Sequence, residues 1–148
     1  MHKALVLILI LLIASCKNEK KQEIRSMNDP GIKIPRLIDS IEKYGDKGAY
    51  RLLEIASLDY RAGEFLSTFM IMADKYNNPN ASMKVFYHLL WMYNSKIVNG
   101  SNIEIYSLDS LNTFTKDMAI RYLKKADSLG NTEARQYLYE YRKKGILK

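Results

Sequence analysis

Three short stretches of this chain carry the same punctuation: Tyr44-Gly45-Asp46, Tyr76-Asn77-Asn78 and Leu129-Gly130-Asn131. The middle residue of each is Gly or Asn, the types that tolerate the left-handed conformation closing a helix. The third is Asp or Asn, whose side chain accepts a hydrogen bond from the first-turn amides of a following helix. One residue stops a helix and its neighbour starts the next. Pro79 falls on the first helical position after Asn78, where a missing amide hydrogen costs nothing, and Glu133 falls in a first turn, where the helix dipole favours negative charge. Ala49, Ala81 and Ala134 each lie three residues past the cap, small enough to let paired helices close. The pattern predicts three antiparallel helix pairs.

Apolar spacing agrees. Leu52, Leu53, Ile55, Ala56 and Leu58 form one stripe, and Phe65, Leu66, Phe69, Met70, Met72 and Ala73 form another; both recur at three and four rather than at two. Helices are expected over 36–44, 47–60, 64–76, 79–95, 116–129 and 132–144. The fold class is all-α, a short solenoid of about six helices in antiparallel hairpins. The caps Asp46, Asn78 and Asn131 are spaced by 32 and then 53 residues, one helix-turn-helix period followed by the same period with 21 residues inserted. That insert, between Lys96 and Lys116, carries Asn99-Gly100 between aliphatic residues, a tight hairpin signal, and Ser107-Leu108-Asp109-Ser110-Leu111, a short helical turn. It is expected to form a loop on a binding face.

The first residues do not belong to this domain. MHKALVLILILLIASC begins with His2 and Lys3, runs apolar from Ala4 to Ala14 and ends in small residues before Cys16, too short to span roughly 30 Å of hydrocarbon but suited to a secretory signal. Ile13-Ala14-Ser15-Cys16 resembles the lipobox of bacterial lipoproteins. That resemblance implies a signal peptide over 1–15, cleavage before Cys16 and acylation of Cys16 by fatty acids such as palmitate. Acyl chains anchor stably, since each buried methylene contributes about 0.8 kcal/mol. Residues 16–35 read as a flexible tether and 36–148 as the helical domain. Lys17 behind the cysteine resembles lipoproteins sent to the outer membrane, which implies a bacterial envelope location on its periplasmic or surface face. Removal of Lys3 from the 23 Lys and Arg leaves 22 against 16 acids, a mildly basic chain. Outside the cytoplasm such a balance favours acidic proteins or phosphate-bearing head groups over nucleic acid.

The corners also resemble Sel-one-like repeats, relatives of tetratricopeptide repeats. Ala119, Tyr122, Ala126, Gly130, Asn131, Ala134 and Leu138 follow that family's pattern closely; Phe69, Ala73, Asn78 and Ala81 follow it loosely; Gly45, Asp46, Ala49 and Leu53 keep only its second half. Glu54, Phe86 and Tyr139 stand where the family has glycine, so helix contacts there must be wider or differently angled. The resemblance implies a protein-binding scaffold or adaptor, with inhibitor or immunity-type binders among secreted relatives.

Chemistry is sparse. With Cys16 lipidated and His2 in the signal, His88 is the one remaining histidine and no thiol is free, which excludes Cys/His nucleophile pairs and metal sites needing several such ligands. No phosphate loop or His-Glu-x-x-His motif appears, and no cofactor is implied. The chain reads as a non-enzyme, with His88 a packing residue rather than a general base. The candidate partner-binding residues are aromatic and basic: Tyr87 and Trp91 on the fourth helix, and Arg135, Tyr137, Tyr139 and Arg142 on the last, an interface-like composition. Residues at alternate positions of a helix cannot share one face, so some of these tyrosines belong to the core and others point outward. The expected binding surface runs from the second helix to the last, with the insert as a contact, and the partner is another envelope or secreted protein. The alternative is a structural envelope component that holds glycan or anionic lipid head groups through the basic, tyrosine-rich end.

Overall fold

The computed structural model describes residues 33–100 and 103–147. The proposed signal peptide, Cys16 and most of the tether lie outside the described residues. Among the described residues six α-helices follow one another: α1 Ile34–Tyr44, α2 Lys47–Ala56, α3 Leu66–Asp74, α4 Pro79–Met92, α5 Thr113–Ser128 and α6 Thr132–Lys143. A single 3-10 turn, Ser57–Asp59, ends the second. The described residues are all-α apart from a two-stranded antiparallel hairpin, β1 Ile97–Asn99 and β2 Glu104–Tyr106.

All three corners form by the chemistry read from their residues. Gly45 and Gly130 adopt φ of 65° and 92°, and Asn77 adopts 51°. Asp46 accepts from the amides of Gly48 and Ala49 at 2.8 and 3.0 Å, Asn78 from Ala81 at 3.0 Å, and Asn131 from Ala134 at 2.8 Å. Backbone donors to Asp46 hold its carboxyl below the ordinary range, Ala49 foremost, with the Ser40 hydroxyl helping. Ala81 and Ala134 are fully buried and Ala49 nearly so, consistent with close helix approach there.

Pairing follows the corners: α1 with α2, α3 with α4, α5 with α6, and across pairs α1 with α3 and α4 with α5. The middle of this row is α4, wedged between α3 and α5. It buries Ala81, Ser82, Met83, Val85, Phe86, His88, Leu89 and Leu90, more than one face of a helix, because it has neighbours on several sides. Each fully buried large side chain there contributes about 1.5–3 kcal/mol relative to leaving it in water. Helix α1, by contrast, buries Ile41 alone.

The row therefore has two edges. At the corner edge, the Tyr76 hydroxyl and the Lys75 ammonium both donate to the Glu42 carbonyl at 3.1 Å, and the Asn131 side chain donates to that of Asn80 at 3.1 Å. Also there, the Tyr122 hydroxyl donates to Asp74, whose other oxygen meets Lys125 at 2.9 Å. Burial raises the Asp74 carboxyl, but these donors outweigh it and hold it low; burial and the same bond push Tyr122 up to about 12. At the opposite edge lie the start of α1, the α2–α3 connection, the end of α4 and the start of α5. The Gly63 amide there donates to His88 Nδ1 at 2.9 Å, and Thr115 donates to the Tyr93 hydroxyl at 3.3 Å.

Several boundaries differ from the sequence expectation: the third helix runs Leu66–Asp74 rather than 64–76, and four other differences have identifiable reasons. The second helix stops at Ala56 instead of 60 because the chain tightens into its 3-10 turn, where the Ser57 hydroxyl donates to the Glu54 carbonyl at 2.7 Å. The fourth stops at Met92, since Asn94 takes φ of 50° and the chain turns toward β1. The fifth begins at Thr113, not 116, because Asn112 caps it by accepting from Thr115 at 2.9 Å. Ile34 and Pro35, assigned to the tether, are the first residues of α1, with Pro35 in its first turn where proline fits.

The insert is more than a surface loop. Its strands pair Ile97 with Tyr106, Val98 with Ile105 and Asn99 with Glu104. Beyond the last strand pair the Gly100 amide donates to the Ile103 carbonyl at 2.8 Å, so the hairpin expected near Asn99-Gly100 forms between these two strands. Ile105, Leu108 and Leu111 are buried. The Tyr141 hydroxyl donates to the Tyr106 carbonyl at 2.6 Å, the Trp91 indole to the Tyr106 hydroxyl at 3.0 Å, and Ser95 pairs with Ser110 at 2.7 Å. One side of the insert is core, and only the other can meet a partner.

Candidate functional site

Helix α6 sorts the candidate residues by its 3.6-residue period. Ala134, Tyr137, Leu138 and Tyr141 face inward, while Arg135, Tyr139 and Arg142 face outward, three and four apart along one stripe. Tyr137, expected as a contact residue, is instead 5 % exposed. Its ring stands edge-on to Phe86 and Tyr87, 5.5 and 5.9 Å between centroids. Burial pushes its phenol up.

Tyr87 and Trp91 are half-buried and lie parallel, with centroids 5.4 Å apart and planes 9° from each other. Tyr87 is set edge-on to Tyr106 of the hairpin at 6.0 Å and donates its hydroxyl to the Glu133 carboxylate. Burial, reinforced by that bond, raises its phenol well above the ordinary range. Such aromatic pairs add about 0.5–1.5 kcal/mol beyond area burial, so these two residues chiefly clamp the hairpin to α4 and α6. The free edge of Tyr87 lines a cleft of about 290 Å³ together with Glu54, Lys84, Asn80 and Glu133, in which Lys84 meets Glu54 at 3.6 Å.

The second group remains accessible. Tyr139 is 53 % exposed, with the Lys143 ammonium 5.9 Å from its ring centroid. Arg135 and Arg142 are exposed on the same stripe; Arg135 is oriented by Asp127 across the corner at 3.0 Å. Beside them opens a cavity of about 260 Å³ lined by Ile103, Arg135, Gln136, Tyr139 and Glu140, where the hairpin end meets α6. Glu140 is buried with its carboxylate close to Gly100; a β-carbon on that glycine would sit 3.0 Å from Glu140 Oε2. The structure thus brings Arg135 and Tyr139 together with the insert, extends them with Arg142, and withdraws Tyr137. Ile103, Gln136 and Tyr106 were missed from sequence. Alternation of inward and outward residues on β2 was the available signal, but three residues are too few to show it.

His88 is buried between Phe69 and Trp91, with centroids 5.0 and 5.3 Å away. Its Nδ1 accepts from Gly63, which places the proton of the neutral ring on Nε2. Burial, with Lys84 adding to it, lowers its pKa to about 4, so it is a neutral packing residue at ordinary pH. Among the described residues no three His, Cys, Asp or Glu side chains gather where they could hold a metal, and no helix is long and apolar enough to cross a membrane.

No family model, no curated protein and no solved structure matches this chain.

Proposed function

We propose that this chain is a lipid-anchored envelope protein that binds another protein through the outer stripe of α6 and the adjoining end of the hairpin. The observation that carries the reading is the exposed Tyr139, flanked by Arg135 and Arg142 and opening onto the 260 Å³ cavity beside Ile103. Tyrosine and arginine beside a concave, partly apolar recess are the residue types that dominate binding energy at protein interfaces. Tyr139 is held in place at little entropic cost, because its backbone belongs to a helix whose inner face is packed. The resemblance of the corners to Sel-one-like repeats supports a scaffold or adaptor. The lipobox-like Ile13-Ala14-Ser15-Cys16 supports the anchor.

The test is affinity capture from detergent-solubilised envelopes with the Cys16-anchored chain as bait, beside Tyr139→Ala and Arg142→Ala. One stoichiometric protein is expected with the parent chain. At least one variant should weaken binding about thirtyfold, the scale of a hot-spot loss of about 2 kcal/mol. No enriched protein, or one retained equally by both variants, refutes this surface as the site.

A further inference from the structure

Among the described residues, eight large hydrophobic side chains are exposed, and six of them share one edge of the row: Leu58, Tyr60, Met92, Tyr93, Ile97 and Phe114. They come from the α2–α3 connection, the end of α4, the start of β1 and the first turn of α5, all at the edge opposite the three corners. Leu58 and Phe114 are 64 % and 73 % exposed. The corner edge carries Tyr44 alone of this set. Chain order makes the asymmetry: three corners consume one edge in capping and hydrogen bonds, and both longer connections fall on the other.

Two further observations identify what covers this edge. The first is where the remaining chain attaches. Helix α1 starts at this edge, antiparallel to α2 across the two-residue corner Gly45-Asp46, so Lys33 stands at the same edge as the exposed apolar side chains. Sixteen residues lie between Cys16 and Lys33, and the chain from one to the other reaches about 60 Å at most. The second is charge. Lys33, Arg36, Arg61, Lys96, Lys143 and Lys144 are exposed around this edge, against Asp59, Glu64, Asp109 and Asp117. A cationic rim around tyrosines and aliphatic side chains is the composition that settles at the boundary between head groups and acyl chains.

We infer that the edge carrying Leu58, Tyr60, Met92, Tyr93, Ile97 and Phe114 lies on an anionic lipid bilayer, as a second membrane contact beside the acyl anchor. The inference rests on the proposed anchor at Cys16 and goes beyond it by orienting the domain. Apolar side chains enter the interfacial layer while the cations meet phosphates, and the corner edge is turned away from the membrane.

The test uses the full chain, purified from membranes and reconstituted in vesicles of phosphatidylethanolamine and phosphatidylglycerol. An environment-sensitive fluorophore is attached to a cysteine introduced by Phe114→Cys, by Leu58→Cys or, at the corner edge, by Tyr44→Cys. All three positions are exposed, so the fold is retained, which circular dichroism checks. Quenching by doxyl-labelled lipid at 58 and 114 is expected to be at least threefold that at 44, with iodide quenching in the reverse order. Equal quenching at all three, or stronger lipid quenching at 44, overturns the orientation. Incorporation of labelled palmitate at Cys16 is scored separately. Its absence sinks the anchor, and the labelling is then repeated on Cys16→Ser chains, in which the fluorophores still report which edge meets lipid.

Discussion

Ile105 tests whether the insert belongs to the core. The side chain is fully buried although its strand has three residues and lies within a segment that interrupts the helical period. Ile105→Ala deletes about three methyl or methylene groups, a transfer loss of roughly 2.4 kcal/mol at about 0.8 kcal/mol each. If about 40 Å³ of the vacated space stays open, a cavity cost near 24 cal/mol per Å³ adds about 1 kcal/mol. The sum, about 3.4 kcal/mol, falls inside the range of about 2–5 kcal/mol typical of such truncations. For a domain of this size each kcal/mol moves the midpoint by roughly 3–5 °C, so a fall of about 10–17 °C is expected. Helix ellipticity on heating the full chain in detergent reads it, with exposed Glu104→Ala on the same strand as control. The helices must melt earlier even though the substitution lies outside them, because the Tyr106 carbonyl and the Tyr141 hydroxyl tie the hairpin to α6. A helical transition moved no further than in the control refutes the packing of the hairpin into the domain.

Gly45 and Gly130 both take positive φ, but a β-carbon on Gly45 would collide with the Tyr76 ring whereas one on Gly130 meets nothing. Gly45→Ala should therefore cost more than the roughly 1 kcal/mol of left-handed strain expected for Gly130→Ala in urea titrations, and equal costs would remove the clash from the account. Asn78→Ala loses the cap on α4 and should cost about 1 kcal/mol, with Asn78→Gly milder by most of that; equal losses would show that the side-chain bond to Ala81 contributes nothing. For His88 the folded pKa of about 4 lies below the ordinary 6.5. Its contribution is intact above pH 6.5 and lost as pH falls toward 4, because only the unfolded chain takes up the proton in that window, on the order of 3 kcal/mol in total. His88→Gln should flatten that part of the profile, and parallel profiles for the two proteins would contradict a buried neutral ring.

The corners were legible from sequence because everything that makes them is local. A left-handed residue, a cap oxygen and an amide two or three positions on lie within five consecutive residues, so no distant contact decides them. The same locality made the six helices readable. Where local preference was weak, tertiary structure decided. Thr113, Phe114 and Thr115 are poor helix formers, yet the Asn112 cap and the burial of Thr115 start α5 there. The insert reads as a polar loop with a turn signal, and its burial depends on Trp91 and Tyr141, 15 and 35 residues from Tyr106 along the chain. Tyr137 and Tyr139 carry the same side chain two positions apart. Helical period alone puts them on different faces, but only the arrival of α4 on one side decides which face is core. Likewise no stretch of sequence announces that Leu58, Met92 and Phe114 share an edge. Antiparallel pairing brings them together, because each two-residue corner returns the chain to the edge from which it came.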